Sequence, residues 1–207
     1  MKYSCCLTNT KSPLVLDTSV IINLHASGEA KSIIETLPNP IMVTENVLNE
    51  IRGEYNDSSA QKFLLRDLQA QELIAIVPLS EGDLARYTEL VSEPRSLDDG
   101  EAATIAVALE NNHIAVVDER KGLQRLQDEK PGCCTPTTID LLLHPSVINI
   151  FGTTYVADLV FNALSEARMR ILLEHREAVV DLIGIERALK CNSLPNFKQW
   201  RGQVVNT

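Results

Sequence analysis

The sequence predicts an α/β fold, a three-layer αβα sandwich on a mostly parallel sheet of about five strands, followed by a C-terminal helical extension. Three observations carry this. Short apolar runs such as Leu14–Leu16, Ile41–Val43 and Ile114–Val117 lack polar alternation, as strands covered on both faces do. Segments of helical period separate them, the signature of a sheet wound through crossover helices. Beyond Pro145 the strands stop and only helical stripes continue. The chain of 207 residues therefore divides into a domain over 12–146 and a helical extension and tail over 147–207.

Taken in order, Leu14–Leu16 is the first strand, and Asp17 ends it. Thr18 or Ser19 is the expected cap of the helix carrying Val20, Ile21 and Leu24, which Gly28 punctuates. A short helix over 30–37 precedes the second strand, 41–43; Thr44 caps a helix to Ile51 that Gly53 closes. The next helix, 60–72, is expected to face inward with Phe63, Leu64 and Leu68, before a third strand over 73–79. Ser80–Asp83 opens a helix with Leu84, Tyr87, Leu90 and Val91 inward. An alanine-rich helix then starts at Asp98 or Asp99 and runs to Asn111.

The fourth strand is 114–117, followed by a helix over 119–128. Cys133–Thr135 is the expected fifth strand, and 138–143 a closing helix. Two long helices are expected over 155–173 and 174–190, with stripes (Val156, Leu159, Val160, Ala163, Leu164 and Val179, Val180, Leu182, Ile183, Leu189) that must bury against the main domain or a second subunit. The tail from Asn192 reads as polar and irregular.

Composition narrows function. With 44% hydrophobic and 23% charged residues the chain is ordinary for a globular protein, and no apolar run approaches the roughly 20 residues of a membrane helix. The first twelve residues lack a signal-peptide core, which predicts a cytoplasmic protein. A net charge of −9, from 28 acids against 19 bases, excludes broad electrostatic capture of nucleic acid. It leaves room for a nuclease, since carboxylates gathered for cations raise the negative count. The five cysteines have no C-x-x-C spacing, so neither zinc nor a disulfide framework is indicated.

The acids carry the chemistry. Asp17 directly follows three apolar residues, where a lone carboxylate is costly unless a cation or donors offset it. Glu50, Asp98, Glu101 and Asp118 occupy comparable strand ends and helix starts, a set of oxygen ligands suited to a hard metal. Each has a plainer alternative. Asp98 and Glu101 have capping-box spacing, Glu50 suits a solvated helix face with Glu45 as its rival, and Asp118 could cap the next helix.

As an ordered set, Leu16-Asp17-Thr18-Ser19, Val47-x-x-Glu50, Leu97-Asp98-x-Gly100-Glu101-Ala102 and Val117-Asp118-Glu119-Arg120-x-Gly122 resemble the PIN-domain (PilT N-terminus-like) nucleases, over roughly 13–143. The resemblance implies a Mg2+- or Mn2+-dependent endonuclease cleaving single-stranded RNA, of the kind that serves as toxin in bacterial toxin–antitoxin pairs. Its implied partners are the RNA, an antitoxin protein and a second copy in a homodimer or higher oligomer, with no membrane. It implies Asp17 as central ligand, Asp98 and Asp118 as further ligands, Glu50 as ligand directly or through water, and Glu101 behind them. Arg120 and Lys121 are placed to touch phosphates or to form a solvated face.

Three other readings compete. A catalytically inert PIN-like binding module is one. A haloacid-dehalogenase-type phosphatase needs a second Asp where Ser19 stands, and a receiver domain needs an acidic pair before Leu14; the chain has neither.

Overall fold

The computed structural model describes residues 7, 11–53, 59–92, 94 and 96–205. Four strands form one sheet: β1 (Leu14–Leu16), β2 (Ile41–Thr44), β3 (Ala75–Val77) and β4 (Ile114–Val116). The order is β3-β2-β1-β4 and every pairing is parallel, with Leu14 opposite both Ile41 and Ile114. The chain steps from β1 outward through β2 and β3, then returns to lay β4 on the other side of β1. The carboxyl ends of β1 and β4 thus flank the switch point, where open α/β sheets form a crevice. Asp17 and Asp118 stand there, and Asp17 N donates to Val116 O at 3.2 Å.

Helices cover both faces. Val15 belongs to a core layer with α5 (Glu81–Val91), α6 (Asp99–Glu110) and α7 (Arg120–Glu129). Leu14 and Leu16, on the opposite pleat, belong to a layer with α1 (Thr18–Ser27), α2 (Ala30–Thr36), α3 (Glu45–Gly53) and α4 (Ser59–Ala70). α6 is buried from Gly100 to Ala108, and its small side chains let it lie close on β1, β2 and β4. Its first turn is thereby fixed over the strand ends.

The sheet has four strands instead of about five. Cys133 and Cys134 are half-buried coil, and Val117 N reaches across to Pro136 O at 3.2 Å. Pro136 has no N–H to return, so the ladder ends there. Helix α8 (Thr138–Leu142) follows, closed by a Thr137–Asp140 capping box.

The two long helices expected over 155–173 and 174–190 are shorter pieces: after α9 (Pro145–Phe151) come α10 (Thr153–Glu166), a 3-10 turn (Leu173–His175), α11 (Arg176–Ile183) and α12 (Ile185–Ala188). Gly152 (φ 77°) and Gly184 (φ 84°) make the breaks in a backbone region that suits glycine alone. The tail is not irregular: α13 (Phe197–Val205) packs Phe197 and Trp200 against the core. The stripe Val156, Leu159, Val160, Ala163 and Leu164 is buried, and α10 lies on α1, so the main domain itself supplies the cover.

Two inward faces differ from expectation. On α4 the buried residues are Leu65 and Leu68, while Phe63 is 74% exposed; on α5 Leu90 is buried and Leu84 is exposed. In each case neighbouring apolar positions compete for one narrow face. Among the described residues no single helix is long and apolar enough to cross a membrane.

Candidate active site

The residue that caps α1 is Asp17 itself, not Thr18 or Ser19. A strand that stops at an acid leaves it in extended geometry (φ −78°, ψ 164°) one step before the helix, and its Oδ2 accepts from Ser19 N at 3.3 Å and Ser19 Oγ at 2.7 Å. Asp17 is only 4% exposed. Burial pushes its pKa up to about 6 against those hydrogen bonds, and the neighbouring Asp118 adds repulsion.

The first turn of α6 does not use the capping box its spacing suggests. Asp98 is at the cap position but makes no side-chain bond to the helix amides, and lies exposed. Glu50 of α3 takes that role from outside: its Oε1 accepts from Gly100 N at 3.0 Å, and its Oε2 accepts from Thr18 Oγ1. One carboxylate thus ties α3 to the starts of α1 and α6. Its rival Glu45 is exposed.

Freed from capping, Glu101 turns inward. It is buried, and its Oε1 has no hydrogen-bond partner among the described residues. Burial, with repulsion from Asp17, Glu119 and Asp98 outweighing the attraction of Lys121, pushes its pKa up to about 8. A buried carboxyl with an orphaned oxygen is the costliest polar arrangement in this part of the molecule, and it calls for a proton or a cation.

Asp118 is also buried, and three donors reach it. Its Oδ1 accepts from Thr138 N at 2.7 Å, and its Oδ2 from Asn23 Nδ2 at 2.7 Å and from Thr138 Oγ1. Desolvation still raises its pKa. It does not cap α7, whose cap position is Glu119. Sequence reasoning did not single out Asn23 or Thr138. Asn23 had a signal, being a polar residue between Ile22 and Leu24 in an otherwise apolar run; Thr138 had none.

These residues surround a cleft of about 430 Å³ lined by Asp17, Thr18, Glu50, Asp98, Glu101 and Glu119. Asp99 lies at its rim, held by Asn46 and by the Tyr87 hydroxyl. Asp118 opens instead onto an adjoining pocket of about 420 Å³. Arg120 and Lys121 line a separate groove with Pro94 and Leu97, outside the acidic cleft.

The donor set suits a hard divalent cation, being all oxygen with one acceptor unpaired and two carboxyls raised by burial. Among the described residues no three His, Cys, Asp or Glu side chains converge as a closed ligand set. Glu101 feels the charge of Asp17 across the cleft, with Asp98 at its mouth.

No curated protein matches the chain significantly. A family model described as a PIN domain matches residues 13–182. That span takes in the whole sheet, all five acids and the helices as far as α11, and so the chain belongs to the PIN domain family, a nuclease-type fold.

Proposed function

We propose that the protein is a Mg2+- or Mn2+-dependent endoribonuclease that cleaves single-stranded RNA at the acidic cleft, acting as the toxin of a toxin–antitoxin pair. The observation that carries this reading is the buried, unpartnered Oε1 of Glu101 beside the buried Asp17, at the switch point of a PIN sheet. Such a pair is unstable on its own account and is suited to a ligand of opposite charge.

Asp17, Glu101 and Asp98 would hold the cation, which when bound polarises an attacking water and offsets charge on the scissile phosphate. Glu50 acts as a positioning residue, because its two oxygens are engaged by Gly100 and Thr18. Asp118 is held beside Asp17 by Thr138 and Asn23. The inert-module reading draws on the spread of the carboxylates and makes the opposite forecast in the same assay.

The test is cleavage of single-stranded RNA by the full chain in magnesium or manganese, with Asp17→Asn as comparison. Metal-dependent cleavage that Asp17→Asn abolishes, with the folded state intact, supports the reading. Equal cleavage by the variant, or none by the native chain in any divalent metal, overturns it. Growth arrest on expression in bacteria, relieved by Asp17→Asn, tests the toxin role.

A further inference from the structure

Beside the acidic cleft lies the second pocket, between α1 and the turn that follows α10. It is lined by Ser19, Ile22, Asn23, Asp118, Glu119, Arg168 and Arg170, with Met169 beneath. Ser19, Ile22 and Glu119 line both spaces, so the two adjoin.

The turn is built in an unusual way. Arg168 has φ 54°, a left-handed conformation just past a helix end that favours glycine. Holding an arginine there costs on the order of 1 kcal/mol. The surrounding structure fixes it: Met169 is buried and its N–H donates to Ala163 O at 3.0 Å. The fold itself does not use the Arg168 guanidinium, which is exposed and pairs with no carboxylate among the described residues.

Charge accounting singles out the same residue. Asp118 is spent on Thr138 and Asn23, and Glu119 is paired with Arg170 at 2.9 Å. Among the described residues lining the pocket, Arg168 is the one charge without a partner, in a chain whose net charge is −9. Ile22, 36% exposed, gives the shared floor an apolar surface.

We infer that this pocket is the subsite for the nucleotide flanking the scissile bond. Arg168 takes its phosphate, Arg170 exchanges Glu119 for the same backbone, and Ile22 lies under the base. The inference rests on the ribonuclease reading and deepens it: the substrate is a strand whose backbone passes from the carboxylates across Ser19 and Ile22 to the turn after α10. A guanidinium suits a phosphate because its planar fork gives paired, charge-assisted hydrogen bonds. Acidic clefts repel RNA, so a nearby cation is what makes binding there affordable.

The experiment measures binding of a short fluorescent single-stranded RNA to the full chain carrying Asp17→Asn, with Arg168→Gly, Arg168→Lys and Arg170→Ala added separately. Glycine suits the left-handed position, so Arg168→Gly removes the guanidinium while keeping or raising the melting temperature. Arg168→Gly should weaken binding about tenfold and lower the salt dependence by about 0.7 in the log–log slope, as loss of one phosphate contact does on a single strand. Arg168→Lys should recover part of both. In the cleaving protein, KM should rise far more than kcat falls. Unchanged affinity and salt slope in Arg168→Gly overturn the subsite and leave the nuclease standing if the native chain still cleaves. RNA held through Arg168 but never cleaved in any divalent metal overturns the nuclease and, with no scissile bond to flank, the subsite with it. A native chain that does not bind RNA overturns both.

Discussion

The side chain of Glu101 fills the space that a side chain at Gly122 would occupy. A Cβ built on Gly122 overlaps the Glu101 carboxylate and comes within 3.1 Å of its Cγ. Gly122 is inside α7, where Gly→Ala ordinarily stabilises by about 1 kcal/mol. Here the new methyl would push the Glu101 carboxylate towards the cleft it lines, so Gly122→Ala should lose part of that gain and displace Glu101 from Asp17. Activity should fall at least tenfold, on the order of the 1.4 kcal/mol that a small misplacement costs. Chemical denaturation of Gly122→Ala, Glu101→Ala and the double variant checks this: with Glu101 shortened, the alanine should become stabilising. Additive effects would show that the two residues do not share the space.

A pH dependence follows from Glu101. Its folded pKa of about 8 lies above the ordinary 4.5, so the folded protein binds a proton that the unfolded chain gives up. Stability from this group is full below the ordinary value and is lost as pH rises towards 8. Asp17, raised from 3.8 to about 6, has the same sign over a lower window. In chelator, Glu101→Gln should therefore match the native protein near pH 4 and exceed it increasingly up to pH 8. The gap there should be on the order of 2–4 kcal/mol, since each tenfold change in proton affinity is worth about 1.4 kcal/mol and solvent relaxation removes part of it. Manganese should narrow the gap by stabilising only the native carboxylate. A gap independent of pH would mean that Glu101 is not held protonated by its site.

The sheet and the acids were legible in the sequence because each is written locally. Leu14–Leu16 and Ile114–Val116 are continuous apolar runs, and Asp17 stands directly after one of them. What was not legible depends on partners distant in sequence. Asp98 and Glu101 have the spacing of a capping box, but the acceptor for the first turn comes from Glu50, fifty residues from Gly100. That Asp118 would accept from Thr138 and Asn23 was not legible either, because both partners are distant from it in sequence. The missing fifth strand turned on the proton that Pro136 lacks. The break between α11 and α12 was marked by Gly184, which the apolar stripe around it outweighed, whereas the end of α10 at Glu166 had no such mark.

Asp17 and Asp118 should respond oppositely to the same amide substitution. Asp17 is buried with two donors on one oxygen and a repelling neighbour, so Asp17→Asn should leave the metal-free protein as stable or more so at pH 7. Asp118 accepts from three donors over its two oxygens. In Asp118→Asn the amide –NH2 must face either Thr138 N or the Asn23 amide, leaving donor against donor. That should cost about 1–3 kcal/mol, the penalty of unsatisfied buried polar groups. Thermal unfolding in chelator and in millimolar manganese separates the effects. Asp17→Asn should lose the manganese-dependent rise; Asp118→Asn should start lower and retain part of it. Equal stability of the two variants without metal would contradict the bonding around Asp118.

Truncation after Pro145 should destroy the domain rather than trim it. Helix α10 lies on α1 and buries two leucines, two valines and two alanines. At roughly 1.5–3 kcal/mol for each large side chain, that contact is worth on the order of 5–10 kcal/mol, comparable with the whole stability of a typical domain. Polar bonds reinforce it: Asn162 Nδ2 donates to Ser27 O at 3.3 Å and Tyr155 OH to Glu29 Oε1 at 2.9 Å. The helix left uncovered is the one capped by Asp17 and carrying Asn23, so the loss reaches the acidic cleft directly. The truncated chain should bind hydrophobic dyes, aggregate and show no metal-dependent melting shift. A milder variant guards against an uninformative loss of expression: Leu159→Ala in the full chain should cost about 2–5 kcal/mol and lower the melting temperature in chelator and in manganese alike. A truncated chain that melts cooperatively as a monomer, with the manganese shift intact, would show that the α1 face does not need α10.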